Sequence, residues 1–296
     1  MSPRVTVLGS VNIDLVTTTP TRPAGGETVL GTGFTTGPGG KGGNQAIAAA
    51  RAGARVAFLG AVGTDAFAPQ LRDALEAGGV DVTLLREASG PSGVAAITVD
   101  AGGENSIVVV PGANAAMEAL TDEELDRIAG SDVLLCQLEI PLPTVTAGAA
   151  NAHAAGVTVF LNPSPAQQLP DALLDNVDVL IVNETEAVQL GDAALARVPH
   201  LITTLGGHGA RWRGPDGAAV PAAAPAVAVA DTTGAGDAFA GTLAACWHLG
   251  PATALRRAVA AGALATTRPG AAASSPTAAE VDDLLARHPG PNPARQ

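Results

Sequence analysis

The residues with most to offer chemically lie in DTTGAGDAF, Asp231 to Phe239. Small residues at Gly234, Ala235 and Gly236 let the backbone turn sharply and aim successive N–H groups into one hollow. The apolar run that follows reads as a helix, whose N-terminus adds a positive end. Together these suit an anion such as a phosphoryl group in transfer. The preceding AVAVA reads as a strand leading into the turn. Asp237 falls in the first turn of the helix, where the dipole favours a carboxylate. From there it could take a proton from an attacking hydroxyl. The competing reading is that Asp237 only caps the helix, a common use of Asp.

A second group is GPGGKGGNQA, Gly37 to Ala46. Gly37 to Gly42 is formally G-x-G-x-x-G, but a dinucleotide fingerprint needs a preceding strand and an acid at the end of the next strand. Here Thr-rich sequence precedes it and the next strand ends in GAVG. A P-loop fails too, because Gly42 stands where Ser or Thr would bind the metal. What remains is bare backbone presenting one ammonium, Lys41, and one amide, Asn44, groups that hydrogen-bond sugar hydroxyls. Lys41 is the only lysine among 16 basic residues, a compact point charge in a chain that otherwise uses Arg. A surface lysine in a Gly-rich turn is the plain alternative.

Asn12 and Asp14 in GSVNID share a face if the segment is extended, and could then grip vicinal hydroxyls; an Asx turn is the alternative. Glu139 ends the strand-like VLLCQLE, and Asn183 and Glu186 follow DVLIV in NETE. Asn183 could touch a phosphate and Glu186 could hold Mg2+ through water. Each could equally be a helix cap or a solvated acid.

Elements must bring these groups together. Strands are predicted at Arg4–Val11, Arg55–Ala61, Val133–Leu138, Val157–Leu161, Val179–Val182 and Leu201–Leu205. Helices are predicted at Asn44–Ala52, Ala66–Ala77, Thr144–Ala155, Ala235–Leu249, Ala252–Thr267 and Thr277–Arg287. Thr121 with Glu124 makes a capping-box pattern opening another helix. Continuous apolar strands alternating with helices mean an α/β fold, a mainly parallel sheet covered on both faces. Ligands of such sheets bind at the carboxyl ends of the strands. Two Thr- and Gly-punctuated stretches, about 13–37 and 93–110, break the alternation and are predicted to form a small antiparallel sheet placed as a lid. Residues 1–290 are read as one domain carrying that insertion, and 291–296 as a disordered tail.

The chain has 296 residues, 47% of them hydrophobic but only 2% aromatic, so the core is built from Ala, Val, Leu and Ile. A net charge of −12 with scattered basic residues disfavours nucleic-acid and anionic-membrane partners. No apolar run is long enough to span a bilayer. Cys136 and Cys246 each sit in apolar runs without a ligand-spaced neighbour, which suits small core residues in a reducing compartment. A cytoplasmic location is expected.

GSVNID, GGKGGNQA, CQLEIPL, NPSPA, NETEA, TLGGHG and DTTGAGDAF occur in the order and approximate spacing of the ribokinase-like (PfkB) carbohydrate kinases. The resemblance runs from Val5 to about Leu285, and the lysine-bearing GGKGGNQ is particular to the ribokinase branch. It implies a Rossmann-like three-layer sandwich with a β lid that pairs with a second copy's lid in a homodimer. It implies ATP-dependent phosphorylation of D-ribose at O5, with Asp237 as the base and Gly234, Ala235 and Gly236 as the anion hole. Asn12, Asp14, Gly40, Lys41, Asn44 and Glu139 would bind the sugar. Asn183, Thr204, Gly206 and Gly209 would line the nucleotide site, with Glu186 near Mg2+. A monovalent cation, K+, would sit by Asp231 and Thr233, carbonyls of Ala265, Arg268 and Gly270, and Ser274. Two departures stand out. The stretch between Leu190 and Leu201 is short, implying a trimmed helix, and Pro269 replaces a more familiar polar residue beside the cation site.

Three other readings remain. The acceptor could be another sugar or a nucleoside, although a nucleoside calls for an aromatic surface that few residues here could make. The chain could be a non-catalytic sugar-binding protein, although binding alone needs neither Asp237 nor the Gly-rich turn beside it. A nicotinamide-dependent oxidoreductase is the third.

Overall fold

The Val-rich opening run forms a strand, β1 (Arg4–Leu8), but it ends before the predicted Val11. The chain turns at Gly9 and enters a different sheet as β2 (Asn12–Thr18). The structure is a computed structural model whose described residues are 2–288, so the expected disordered tail at 291–296 lies outside them. There follow β3 (Gly33–Gly39), α1 (Lys41–Arg51), β4 (Arg55–Leu59), β5 (Ala61–Val62), α2 (Ala68–Ala77), β6 (Val80–Asp81) and β7 (Arg86–Glu87). Next come β8 (Gly93–Val99), β9 (Asn105–Val110), α3 (Asp122–Ala129), β10 (Val133–Cys136), α4 (Leu142–Ala154) and β11 (Thr158–Leu161). The remainder is α5 (Asp171–Leu174), β12 (Val179–Asn183), α6 (Glu184–Arg197), β13 (His200–Thr204), β14 (Ala210–Arg213), β15 (Ala219–Ala222), α7 (Ala235–Cys246), α8 (Pro251–Ala265) and α9 (Ala278–Arg287).

Nine strands make one sheet in the order β15-β14-β13-β12-β11-β10-β1-β4-β6. Every pair from β6 to β13 is parallel; β14 and β15 add an antiparallel edge. Successive strand residues feed opposite faces. Val5, Val7, Phe58, Leu135 and Phe160 pack with Ile47, Leu71 and Leu243 on one side. Leu8, Leu59, Leu134, Cys136 and Leu161 pack with Ile128, Val145 and Ala149 on the other. The result is the expected three-layer α/β sandwich. Both cysteines are free and buried. Thr121 and Glu124 close the capping box that opens α3. Among the described residues no helix is long and apolar enough to cross a membrane.

The second sheet has the order β3-β2-β8-β9. It is mixed rather than antiparallel, because β2 pairs parallel with β8. Both strands lead outward from the main sheet and each is followed by its own return strand, so the two outgoing strands lie side by side. AVAVA is in neither sheet. Pro225 before it removes a ladder donor, and the end of the run is tied instead to Thr266, whose carbonyl accepts from Ala230 and Asp231 N–H. The β14–β15 edge hairpin was not predicted: its strands are four residues each, and Arg211 and Arg213 give one of them the charge typical of edges. The short stretch after Leu190 breaks α6 at Gly191 (φ 76°), after which the helix runs only to Arg197.

The order places the crossover between β1 and β10. From β1 the chain winds outward through β4 and β6, and from β10 through β11, β12 and β13. The crevice at the carboxyl ends of β1 and β10 is where such sheets bind ligands. Helices α1 and α7 are packed beside it at close range. A Cβ on Gly241 of α7 would lie 2.3 Å from the Gln45 carbonyl oxygen and 2.7 Å from the Ala48 Cβ of α1. Gly241→Val should force these helices apart and lower stability by about 1–3 kcal/mol, read as an earlier urea midpoint at unchanged slope.

Candidate active site

The Gly-rich stretch is not a loop. Gly37 to Gly39 belong to β3, and Lys41 to Gly43 form the first turn of α1, three residues before the predicted start. Tertiary partners satisfy the N–H groups that a helix start leaves bare. Lys41 N–H donates to Glu139 Oε2 at 3.1 Å, Gly42 N–H to Ser10 Oγ at 3.4 Å and Gly43 N–H to the Ser10 carbonyl at 2.8 Å. Ser10 Oγ also donates to Glu139. Gly40, with φ 85°, makes the turn into the helix, and a Cβ there would lie 2.7 Å from the Asn12 backbone nitrogen.

Two clefts meet at Asp237. A larger one of about 830 Å³ is lined by Asn12, Asp14, Gly40, Lys41, Asn44 and Glu139, the six residues expected to bind sugar. Its far wall is aliphatic, from Ala95, Ile97, Ile107 and Val109 of the small sheet and Pro111. A smaller cleft of about 160 Å³ is lined by Asn162, Ser164, Asn183, Glu186, Thr204 and Gly236. Lys41, Gly234 and Asp237 line both.

Asp237 is 8% exposed, in the first turn of α7. Its Oδ2 accepts from Asn44 Nδ2 at 3.0 Å and its Oδ1 from Gln45 Nε2 at 2.9 Å. Gly234 is the N-cap of α7 in left-handed conformation (φ 73°), and a Cβ there would lie 2.6 Å from the Ala271 Cα. Ala235 N–H donates to the Thr232 carbonyl at 3.3 Å, and its neighbours Gly234 and Gly236 line the smaller cleft. Among the described residues Asn44 Oδ1 has no hydrogen-bond partner; it is buried and belongs to a residue lining the larger cleft, where a hydroxyl donor would satisfy it.

Asn12 and Asp14 share a face of β2, opposite Gly39 and Gly37 of β3, so both reach the larger cleft. Asn12 is steadied by Asn114, whose Nδ2 donates to Asn12 Oδ1 at 2.7 Å. Asp14 lies over Gly39, where a Cβ would meet its Oδ1 at 2.2 Å. Burial, then the charges of Glu139 and Asp237, raise the Asp14 pKa to about 6.

Asn183 and Glu186 do cap a helix. Asn183 Oδ1 accepts from Glu186 N–H at 2.8 Å and Glu186 Oε2 from Asn183 N–H at 2.9 Å, yet both side chains also line the smaller cleft. Thr204 lines it as well. Gly206 and Gly209 lie in the turn between β13 and β14, outside both clefts. Asp231, Thr233 and Gly270 come together: Asp231 Oδ1 accepts from Thr233 N–H and hydroxyl, and Oδ2 from Gly270 N–H at 2.9 Å. Burial alone would raise the Asp231 pKa, but these bonds outweigh it and lower it. The Ala265 carbonyl accepts from Arg268 N–H at 3.4 Å, and the next carbonyl, that of Thr266, accepts from Asp231 N–H at 3.1 Å. The Arg268 side chain pairs with Glu280, and Ser274, fully buried, donates to the Ala271 carbonyl at 2.8 Å. These groups offer only oxygen donors, which fits a hard cation.

Sequence reasoning passed over Gln45, Asn114, Gln137 and Asn162. Gln45 and Asn162 stand inside the motifs GGNQA and NPSPA, but nothing in the spacing shows that they touch Asp237 or one another.

The pfkB family carbohydrate kinase profile matches residues 2–278. A ribokinase of Bacillus subtilis is 39% identical over 95% of this chain and 99% of its own length. A ribokinase of Schizosaccharomyces pombe is 38% identical over 94% of this chain and 96% of its own length. The solved structure of an Arabidopsis thaliana ribokinase complexed with ribose and ATP superposes with a TM-score of 0.90 at 32% identity, covering 96% of this chain and 99% of that one. The chain belongs to the pfkB family of carbohydrate kinases. Within that family the relatives just described are ribokinases, while a deoxyribokinase of Salmonella typhi is 34% identical over 95% of this chain and 98% of its own length.

The raised pKa of Asp14 has a sign that can be checked. From the unfolded value of 3.8 to about 6 the folded state holds its proton more tightly, so stability is lost as pH rises through that window. Asp14→Asn should therefore melt above wild type, with the gap widening from pH 4 to pH 7 and then levelling off.

Proposed function

We propose that this chain transfers the γ-phosphoryl group of ATP to O5 of D-ribose, with Asp237 as the general base. The observation that carries the reading is that one carboxylate, Asp237, stands at the junction of the larger and smaller clefts, with Lys41 and Gly234 also shared by both. The sugar would lie in the larger cleft, where Asn12, Asp14, Lys41, Asn44 and Glu139 offer donors and acceptors for several hydroxyls. The triphosphate would reach the smaller cleft past Asn183, Thr204 and Glu186. Asp237 takes the proton of the primary hydroxyl as that oxygen attacks phosphorus in line. Backbone N–H groups at Gly234 and Gly236 and the positive end of α7 balance the charge spreading over the phosphoryl oxygens. Mg2+, held through water near Glu186, would neutralise charge on the nucleotide phosphates. K+ would be held by oxygen atoms around Asp231, Thr233, Ala265, Arg268, Gly270 and Ser274.

We read residues 1–290 as one unit in which the four-stranded sheet is a lid that closes over the sugar and excludes water. Phe34 and Val108 are both 64% exposed on the face of that sheet turned away from the cleft, and Val110 continues this apolar surface along the edge strand β9. A second copy's lid would cover it, making a homodimer.

The aliphatic wall of the larger cleft favours a sugar over a nucleoside, since no aromatic ring lines it for a base to stack on. ADP release from Mg-ATP should therefore rise with ribose above deoxyribose, fructose and nucleosides, and rise further with K+. Turnover on another acceptor alone would keep the mechanism and change the substrate; silence on all, from folded protein, would leave a sugar-binding protein. Asp237→Asn should cost roughly 10²–10⁴-fold in kcat. In sedimentation the wild type should run as a dimer, and Val108→Asp should shift it to monomer.

A further inference from the structure

Gln45 carries an assignment that the proposed mechanism leaves open. It is fully buried on α1, beside Asp237 of α7. Its side chain is the centre of an amide network whose polarity is set from a single backbone carbonyl. The Ile181 carbonyl can only accept, so Asn162 turns its Nδ2 toward it, at 3.0 Å. Asn162 Oδ1 must then face Gln45, and accepts from Gln45 Nε2 at 3.1 Å. Gln45 Oε1 is turned away and accepts from Gln137 Nε2 at 2.6 Å. Both Nε2 protons of Gln45 are thus committed, one to Asn162 and one to Asp237 Oδ1 at 2.9 Å. None is left for a sugar or a nucleotide, and Gln45 lines neither cleft.

Asn44 differs, although it is the neighbouring residue. It lines the larger cleft, its own Oδ1 lacks a partner, and it holds the other oxygen, Oδ2. A substrate hydroxyl in the larger cleft can therefore reach Asn44 directly, whereas Gln45 lines neither cleft and has both of its donors committed. Resting on Asp237 as the base, we infer that Gln45 is a positioning residue: it anchors Oδ1 of Asp237 so that Oδ2 is the oxygen that receives the substrate proton. A neutral amide suits this task. It orients the carboxylate through a hydrogen bond without adding a cation that would stabilise the ionised form and weaken it as a base. Because Asn162 also lines the smaller cleft, the same network ties the base to the wall beside the phosphates.

The test is a double-mutant cycle, read by single-turnover phosphorylation with ribose and Mg-ATP. Gln45→Met keeps the length of the side chain and removes both donors. It should lower kcat about 10- to 100-fold, the effect of losing one hydrogen bond to a charged group, with KM for both substrates within about two-fold of wild type. In the Asp237→Asn background the same substitution should cause little further loss. Equal losses in both backgrounds, or wild-type kcat in Gln45→Met, would overturn the assignment. Near-wild-type turnover of Asp237→Asn alone would instead overturn the base itself, so the two failures are distinguishable. Should Gln45→Met melt too low to assay, Gln45→Glu gives an independent readout. The introduced carboxyl can donate to Asp237 only when protonated, so kcat should fall as pH rises where wild-type kcat does not. A wild-type pH profile in Gln45→Glu would count against the anchoring role.

Discussion

The contact between α1 and α7 is the constraint on which the site depends. Each helix begins at the carboxyl edge of the sheet, and each brings one half of the chemistry: Lys41, Asn44 and Gln45 on one, Gly234, Gly236 and Asp237 on the other. They can meet only because the helices approach closely. Gly241 lies against the Gln45 carbonyl, and the facing surface is built from alanines such as Ala48. Small side chains at this contact are what allow the two helices to lie so near each other. The composition and the catalytic geometry are therefore linked physically.

Bringing those groups together concentrates negative charge. Asp14, Glu139 and Asp237 converge on one cleft whose lining holds a single cation, the chain's only lysine. Burial first, and these neighbouring charges second, raise the pKa of Asp14 to about 6. Strained electrostatics of this kind is characteristic of binding and catalytic sites, where a ligand supplies the missing partners. The amides of Asn44 and Gln45 donate to Asp237 without adding charge.

Several residues serve structure and site at once. Glu139 caps α1 through Lys41 N–H while lining the larger cleft, and Asn183 and Glu186 form a capping box while lining the smaller one. The rival readings of these residues as caps or as ligands are thus not alternatives. A helix start at a strand's carboxyl end needs a polar cap, and that same location is where a ligand binds. Gly206 and Gly209 shape the turn into β14.

The amino-acid sequence by itself determined the α/β layering, the strand and helix order, the capping of α3 and the set of polar groups at the strand ends. Each of these rests on local signals: apolar runs, helix-stop glycines and capping patterns act over a few residues. Tertiary structure decided the rest. Lys41 to Gly43 become helix because Glu139 and Ser10, distant in sequence, satisfy their N–H groups. AVAVA stays outside both sheets because its end is tied to Thr266, and the small sheet is mixed because its two outgoing strands run side by side. Gln45, Gln137 and Asn162 look like ordinary polar residues in sequence. Gln45 holds Asp237, and Gln137 and Asn162 hold Gln45, only where distant segments converge, since a hydrogen bond depends on distance and direction, which residue type does not encode.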